Sequence, residues 1–482
     1  MEISEREALY STIQGFVGDS WNGSDLYPDP CGWTPIQGVS CDIYDDLWYV
    51  TELTLGLVHE NSLSCAASLV IKPQLFKLNH LKSLSFVNCF KSSLTISKED
   101  WISLGSNLES LEFRSNPGLI GELPETIGSL TSLKSLVVLE NGFDGKLPTS
   151  LCNLSSLKRL VLAGNLFTGK IPDCFNGFKD LLILDLSRNS FSGTLPSSIG
   201  EMVSLLKLDL SNNQLEGKLP QGVGCLKNLT LLDVRNNRIS GGFSQNVEKI
   251  RSLTDLVLSG NPMDIDDMMG IKWENMGNLV VLDLSKMGLR GDIPYGLTKL
   301  KRLRFLGLND NELTGTVPSK ELETLPCLGA LYIHGNNLTG ELRFSTKFYE
   351  KMGTRFKASK NPNLCQYDMV SGSSNYVPPL GVKPCKTKKA EGDLVILQTL
   401  RNLKKEESSS SMSLMVTRHV LSNGLMWDLL LELSLIVTAN LWDLARVPVG
   451  SSGRSEADAA ARQCLSPFIL VGLPAYYVIA SS

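Results

Sequence analysis

The sequence predicts an α/β fold in which short parallel strands stack into one curved solenoid, with an extended convex side and a disulfide-bonded cap at each end. Three observations predict it. A pattern of leucines ending in asparagine recurs along most of the chain, a Gly–Pro signature follows many copies, and cysteine pairs flank the array. With 42% hydrophobic and 7% aromatic residues, the 482-residue chain has the composition of a folded protein. We therefore expect an array of repeats rather than a set of unrelated domains.

The repeat has the frame Leu-x-x-Leu-x-Leu-x-x-Asn, and its copies lie 24 residues apart through the middle and 24–27 apart elsewhere. This period is typical of leucine-rich repeats. Leu53 and Leu84 belong to two less regular units at the start, Cys89 takes the asparagine place in the second of them, and Asn361 closes the series, which gives about a dozen units. The asparagines between these ends are Asn116, Asn141, Asn165, Asn189, Asn213, Asn237, Asn261, Asn311 and Asn336.

The recurring asparagine is expected to have a structural role. Alternation along each strand sends the leucines into a shared core and the residues between them to the concave face. Where the chain then turns sharply, the asparagine amide can bond backbone groups of its own unit and of a neighbouring unit. Leaving such a buried group unpaired costs about 1–3 kcal/mol. Met287 stands where an asparagine belongs, and the sequence offers no reason for it.

A second signature follows the asparagine, as in the stretches "FTGKIP", "FSGTLP" and "LEGKLP". Glycine supplies an unusual backbone conformation and proline fixes φ, so these stretches favour an extended turn over a long helix. Over residues 108–344 the chain thereby resembles the plant-specific class of extracellular leucine-rich repeats.

Two units depart from this signature. Ser244 replaces the proline in one, and residues 262–278 lack the motif altogether. The second contains Asp264, Asp266 and Asp267, whose spacing matches no EF-hand calcium loop. We therefore expect a solvated loop there rather than a calcium site.

Four segments are predicted: an N-terminal cap over 1–49, the repeats over 50–361, a C-terminal cap over 362–390, and a linker with an apolar tail over 391–482. Within the last segment, the stretch 425–442 contains Asp428 and Glu432, which argues against a spanning helix. The apolar stretch 465–480 is short, is broken by two prolines and weakly imitates a GPI-anchor signal, with a mis-joined exon as the alternative. Membrane association through this tail stays open.

The N-terminal cap carries a recognisable motif. Residues 5–17 are expected to form an amphipathic helix, and "DPCGWTPIQGVSC" follows it. That stretch resembles the cap of plant leucine-rich-repeat receptors at Cys31, Trp33, Gly38, Val39 and Cys41. The resemblance implies a disulfide between the two cysteines, although nine residues separate them here.

The other cysteines are predicted from their places in the array. Cys365 and Cys385 are expected to close the C-terminal cap, and Cys152 and Cys174, in adjacent units, could bridge across the convex side. Cys89 either pairs with Cys65 or is a simple ladder residue. Cys225 and Cys327 are expected to be buried free thiols. No cysteine shows CxxC metal spacing.

The compartment follows from cysteine placement and from glycosylation acceptors. Four Asn-x-Ser/Thr acceptors, at Asn22, Asn153, Asn228 and Asn337, are typical of a secreted chain. The first residues, "MEISEREALY", contain no apolar signal region. We expect an extracellular or plasma-membrane protein of a plant whose signal peptide is missing from this sequence, with a cytosolic protein as the alternative.

Catalysis, cofactor binding and nucleic-acid binding have little support. The sequence contains no G-x-S-x-G, HExxH, P-loop, G-x-G-x-x-G or kinase motif, and its four histidines are scattered. A net charge of −4 provides no basic field for nucleic acid. The prediction is a protein without enzymatic activity, cofactor or metal.

The concave face is the predicted binding surface, since residues six, four and two places before each asparagine point outward. The acids in its middle, such as Asp185 and Asp233, recur so regularly that a structural role is expected. Val137, Leu139 and Val161 lie among the less regular outward positions. Exposed aromatic residues beside polar groups suit binding of a protein or peptide. The candidate residues are Glu112, Arg114, Arg159, Phe305, Asn309, Tyr332, His334, Arg355 and Lys357.

Two longer stretches, "DPCGWTPIQGVSCD" and "LFKLNHLKSLSFVNCF", together with the lack of a kinase motif, resemble the Piriformospora indica-insensitive family of plant receptor-like proteins. The resemblance implies a role in the root's response to an endophytic fungus, in growth promotion or in defence. Similarity to plant peptide-hormone receptors implies that Arg355 and Lys357 hold a peptide carboxylate.

We therefore expect a non-catalytic receptor-like protein that binds a ligand on its concave face and acts through a partner receptor kinase. Two alternatives remain. One is a soluble inhibitor of microbial cell-wall-degrading enzymes, similar to polygalacturonase-inhibiting proteins. The other is an intracellular repeat scaffold.

Overall fold

The computed structural model describes residues 1–57, 63–103, 105, 107–241, 243, 246–262, 270–366 and 381–385. Residues Met1–Cys385 form one compact unit. The tail from residue 386 onward lies outside the described residues, and so do Ser244 and the acidic run of Asp264, Asp266 and Asp267.

One long sheet runs through this unit and, within the described residues, contains fourteen strands. The first two strands are antiparallel and all later neighbours are parallel. Asp45 and Asp46, both with positive φ (48° and 62°), connect the antiparallel pair. The strands are, in sheet order, Val39–Tyr44, Leu47–Gly56, Ser83–Val87, Ser110–Glu122, Ser135–Asp144, Arg159–Val161, Ile183–Asp185, Lys207–Asp209, Leu231–Asp233, Asp255–Val257, Val281–Asp283, Phe305–Gly307, Ala330–Tyr332 and Phe356–Lys357.

Smaller sheets lie beside the long one in chain order. Thr168–Gly169, Ser190–Thr194, Gln214–Lys218 and Arg238–Gly241 form the first, Arg290–Gly291 and Glu312–Leu313 the second, and Thr339–Leu342, Asn363–Gln366 and Lys383–Pro384 the third. Most of these strands contain the glycine of the Gly–Pro signature, which confirms that this side is extended rather than formed by long helices.

Short helical turns complete most units. The 3₁₀ helices are Pro73–Lys77, Glu125–Ser129, Thr149–Asn153, Phe175–Gly177, Ser197–Glu201, Gln221–Cys225, Val247–Lys249, Trp273–Met276, Tyr295–Lys299 and Gly353–Arg355. The α-helices are Ile3–Val17, Gly23–Leu26, Lys98–Ser103, Ser319–Glu323 and Thr346–Met352.

The core is continuous along the array. Frame leucines such as Leu208 and Leu210 are fully buried. Behind the asparagines, the rings of Phe143, Phe167 and Phe191 stack with centroid spacings of 6.4 and 6.2 Å. Each unit therefore buries its apolar side chains against both neighbours, as a repeat array requires.

The asparagine ladder has the predicted role. The Nδ2 of Asn213 donates to the carbonyls of Leu210 and Ser211 in its own unit and of Leu186 in the preceding one, at 3.0–3.2 Å. Its Oδ1 accepts from the backbone N–H of Phe191 at 3.0 Å. The residue before it, Asn212, has φ of 56°, the sharp turn that exposes these groups to the side chain.

Met287 interrupts the ladder, yet the carbonyls that an asparagine would bond there have other donors. The carbonyls of Leu258 and Leu284, which an asparagine at 287 would reach, already accept from Asn261 and Asn311, each at 2.8 Å. The Met287 side chain is 2% exposed and joins the core. A carbonyl has two lone pairs, so the absence of a second donor leaves neither of these carbonyls unpaired.

The N-terminal cap covers the first unit. Leu9, Ile13 and Phe16 of the helix Ile3–Val17 are fully buried, at the spacing of one helix face. Glu5, itself buried, accepts a hydrogen bond from the N–H of Val50 at 3.1 Å. Burial raises the pKa of Glu5, an effect that this hydrogen bond and His80 oppose.

The predicted disulfides are present at both caps and between the adjacent units of the convex side. Disulfides join Cys31 to Cys41 and Cys365 to Cys385, and Cys152 pairs with Cys174. Of the two alternatives for Cys89, the structure contains the bond to Cys65.

The expectation of two buried free thiols is wrong for both residues. Cys225 is free but exposed, because it ends the 3₁₀ helix Gln221–Cys225 on the solvent side. Cys327 is half-buried and disulfide-bonded.

Candidate functional site

The outward face of the long sheet, which is the concave face of the solenoid, brings the candidates of the last units together. Strand pairing aligns Asp283 with Gly307, Gly307 with Tyr332, and Tyr332 with Lys357. Phe305 lies two residues before Gly307 on the same face. The sheet thus presents aromatic and basic side chains on adjacent strands.

We use the name aromatic–basic cluster for four of the candidate residues: Phe305, Tyr332, His334 and Lys357. The Phe305 and Tyr332 rings meet edge to face with centroids 5.3 Å apart, and Tyr332 and His334 do so at 6.1 Å. The Nζ of Lys357 lies 4.4 Å from the centroid of the Tyr332 ring. Both geometries are favourable for aromatic and cation–π contacts.

Gly307 makes this arrangement possible, and the sequence analysis missed it. A Cβ at this position would lie 3.1 Å from the Phe305 ring and 2.7 Å from Oδ1 of Asp283. The available signal was a glycine in the place where earlier units carry the aspartate of "LDLS". Gly307 therefore leaves room for Phe305 to lean toward Tyr332.

Partial burial shifts the pKa values of two members of the cluster, Tyr332 and His334. Tyr332 is half-buried, which raises the pKa of its hydroxyl, while nearby Arg355 opposes the shift. Desolvation lowers the pKa of His334, and the lysines at 286, 357 and 360 add to this effect. Asp310, whose Oδ2 is 4.0 Å from Nε2 of His334, opposes it. His334 is therefore favoured in its neutral form, inside a basic surround.

The remaining C-terminal candidates are partly engaged elsewhere. Asn309 donates from Nδ2 to Asp310 at 2.8 Å. Arg355 donates to the carbonyl of Lys351 at 2.8 Å, whereas Lys357 is exposed. Of the two basic residues considered for a ligand carboxylate, Lys357 is the one that contacts the Tyr332 ring.

The N-terminal candidates form ion pairs with one another. Glu112 forms ion pairs with Arg114 at 2.8 Å and with Arg159 at 3.7 Å. Val137 and Val161, expected to face outward as contact residues, are 0% and 6% exposed and pack in an apolar cluster separate from the main core. This end of the face therefore offers fewer groups to a ligand.

The acidic column in the middle has the structural role that was expected. Oδ1 of Asp185, Asp209 and Asp283 each accepts from the backbone N–H of the serine two residues later, at 3.0–3.1 Å. Lys207 also bridges Asp185 and Asp209. Burial, assisted by Asp209, raises the pKa of Asp233 to about 7.

The predicted glycosylation acceptors lie on the surface of the molecule. The acceptors Asn22, Asn153, Asn228 and Asn337 are all exposed. In the described part of the chain, no three His, Cys, Asp or Glu residues gather closely enough to hold a metal ion. Among those same residues, no helix has the length and apolar character to cross a membrane.

The asparagine ladder and the long parallel sheet define a leucine-rich-repeat protein. The family model "Leucine rich repeat" matches residues 155–215. Over 388 residues the chain is 76% identical to Piriformospora indica-insensitive protein 2 of Arabidopsis thaliana, covering 80% of this chain and 92% of that protein. The chain therefore belongs to the same family of plant leucine-rich-repeat receptor-like proteins.

More distant similarities extend to other plant receptors. Receptor like protein 29 of Arabidopsis thaliana is 35% identical over 145 residues, or 29% of this chain and 30% of that protein. The crystal structure of PEPR1–AtPEP1 matches 76% of the chain at 27% identity with a TM-score of 0.56, and that of a TDR receptor matches 62% at 26% identity with a TM-score of 0.51. The chain spans about half the length of each of these two receptors, at 52% and 54%.

Proposed function

We propose that this protein is a non-catalytic, extracellular receptor-like protein that binds a protein or peptide ligand at the aromatic–basic cluster and acts through a partner receptor kinase. The observation that carries the proposal is the contact chain from Phe305 through Tyr332 to Lys357, which crosses three adjacent strands of the outward face. Family membership and similarity of fold to plant receptors support the receptor role.

The cluster has the properties of a binding hot spot. Aromatic side chains dominate the energetics of many interfaces, because they bury a large area with little loss of side-chain entropy. Phe305 and Tyr332 are half-buried, so each is held in place while part of its ring remains accessible. Their mutual contact orders them before a ligand arrives, which reduces the entropy cost of binding.

Charge supports a ligand with an acidic group. Lys286, Lys357 and Lys360 are exposed around His334, and Asp310 is the acid that faces it. A ligand carboxylate placed over the cluster would meet more positive than negative charge. The similarity to peptide-hormone receptors adds support for a terminal carboxylate near Lys357.

The role in signalling is proposed from the family. From the similarity to Piriformospora indica-insensitive protein 2 we infer a function in the root's response to an endophytic fungus, in growth promotion or in defence. A protein that binds without catalysis can signal only by changing what it associates with, and a receptor kinase is the simplest such partner. Fractionation of plant tissue tests the compartment, since a protein recovered only as a soluble wall component would favour the enzyme-inhibitor alternative.

A peptide-binding assay tests the site. We expect the full-length protein to select, from a synthetic peptide library, peptides with a free terminal carboxylate over their amidated forms. The combined Phe305→Ala and Tyr332→Ala substitutions should weaken this binding by more than about 2 kcal/mol, or about thirtyfold.

The control is Arg188→Ala, which removes an exposed ion pair with Glu140 on another part of the array. It should bind like the wild type, and the unfolding midpoint of the double variant should change little. Undiminished peptide binding by a folded double variant would contradict the proposed site.

A further inference from the structure

A groove with a cavity volume of about 500 Å³ lies between the last units, and none of its lining residues belongs to the long sheet. Tyr295 forms one wall, Glu341 and Arg343 contribute another, and Val317 with Pro318 lies between them. The aromatic–basic cluster contributes none of these residues, so the groove is a second feature.

Comparison with equivalent positions in the other repeat units shows that two residues of this groove are unusual. The residue after the signature proline begins a helical turn in most units, and outside the groove's Tyr295 it is small or polar: Glu125, Thr149, Asp173, Ser197, Gln221 and Ser319. In the groove it is Tyr295. The proline itself, seven residues after the ladder asparagine, is replaced there by Arg343. Two departures from the repeat thus meet at one cavity.

The walls combine an open aromatic ring with a fixed polar array. Tyr295 is 57% exposed, and Nζ of Lys299 lies 4.7 Å from its ring centroid. Nε and Nη2 of Arg343 donate to one oxygen of Glu341 at 3.0 and 2.7 Å. The hydroxyl of Ser319, which is 4% exposed, accepts from the backbone N–H of Arg343 at 3.4 Å.

The chemistry of the groove selects its ligand. Lys320 and Arg343 balance Glu321 and Glu341, so the lining offers a charged ligand no net attraction. An apolar ligand would need an enclosed apolar cavity, whereas this groove is open and has polar walls. A ligand with many hydroxyls can both donate to carboxylates and accept from guanidinium groups.

We propose that this groove binds a neutral saccharide, with a pyranose ring stacked on Tyr295 and its hydroxyls bonded to Glu341 and Arg343. The apolar C–H face of a pyranose suits an aromatic ring, and its rim of hydroxyls suits the alternating donors and acceptors. Two sources have this chemistry. One is a free oligosaccharide, and the other is a glycan on the chain itself at Asn337, four residues before Glu341.

Titration of the full-length protein with cellohexaose, chitohexaose and maltohexaose, followed by calorimetry, tests the proposal. We expect at least one of these neutral probes to bind. Tyr295→Ala should weaken that binding on the order of tenfold, while Tyr295→Phe, which keeps the ring, should stay within about threefold. Gln221→Ala, at the equivalent position of another unit, is the matched control and should bind like the wild type.

Glycosylated protein and its Asn337→Gln variant separate the two sources. Binding by both forms supports a free oligosaccharide, and binding by the variant alone supports the chain's own glycan as occupant. The proposal is overturned if no neutral probe binds either form, if Tyr295→Ala binds as tightly as the wild type, or if oligogalacturonate binds more tightly than every neutral probe.

Discussion

At the scale of single residues, the ladder asparagine shows why one side chain recurs through the array. In each regular unit the Nδ2 group of this asparagine donates to carbonyls of its own unit and of the preceding one. Its Oδ1 accepts from a backbone N–H of the preceding unit, as at Asn237 and Asn336. The side chain therefore acts as a connector between units, in addition to satisfying its own turn. Its loss should be felt in both units.

Exchange at two ladder positions tests this role. Asn213→Met should lower the free energy of unfolding by about 1–3 kcal/mol, because it removes four hydrogen bonds with buried backbone groups. Met287→Asn should leave it unchanged or raise it by up to about 1 kcal/mol, since new bonds to Leu258 and Leu284 offset the lost burial of methionine. Chemical denaturation measures both, and equal losses would mean that Met287 has a packing role of its own.

Asp233 predicts a pH-dependent stability. Its pKa is raised from 3.8 to about 7 in the folded chain, so between these values the folded state binds more protons than the unfolded state. Its contribution to stability is therefore present at low pH and declines as the pH rises toward and past 7. Asp233→Asn should remove this decline while keeping an oxygen for the N–H of Arg235.

Thermal or chemical unfolding at several pH values checks this prediction. The stability of Asp233→Asn relative to the wild type should increase between pH 5 and pH 8 by about 2–3 kcal/mol. Asp185→Asn, at a position with direct pairing to Lys207, is a suitable comparison. A difference that stays constant with pH would contradict the assigned protonation of Asp233.

At the scale of elements, the period of the sequence predicted the strands and the cap helix, because alternating leucines and a helical apolar face are local patterns. The antiparallel pair at the start was not predicted. Its turn depends on the positive φ of Asp45 and Asp46, which the sequence marks only as "YDDLW". This hairpin closes the N-terminal end of the array, where a further parallel strand would otherwise pair.

Contacts between distant units were harder to predict. Phe305 pairs in register with Ala330, so its ring reaches Tyr332 diagonally across the two strands, and the repeat period alone does not specify this contact. The pairing of Glu112 with Arg159 joins positions 47 residues apart and depends on side-chain packing rather than on period. The bonded state of Cys327 likewise has no local sequence signal.

The caps lead to a prediction about cysteine chemistry. Replacing Cys31 and Cys41 by serine should destabilise the protein by about 3 kcal/mol, because the bond closes a loop of ten residues in the unfolded chain. In the native, unreduced protein, iodoacetamide should modify Cys225, the exposed thiol. Chemical denaturation checks the first statement and mass mapping the second, and modification of Cys31 or Cys41 without a reductant would contradict the N-terminal disulfide.

At the scale of the whole molecule, the outward face divides into three regions of different character. In the first region Glu112 forms ion pairs with neighbouring arginines. In the middle region aspartates accept hydrogen bonds from backbone N–H groups two residues later. The last region presents aromatic rings within a basic surround. Recognition is therefore proposed at one end of the array, while the other units provide a rigid frame.

Hydrogen–deuterium exchange of the full-length protein, with and without a bound carboxylate peptide from the library screen, tests the central claim most directly. We predict that the peptide slows exchange in the strands Phe305–Gly307, Ala330–Tyr332 and Phe356–Lys357 and leaves Ser110–Glu122 unchanged. Protection confined to Ser110–Glu122, or to the smaller sheets beside the long one, would contradict recognition at the aromatic–basic cluster.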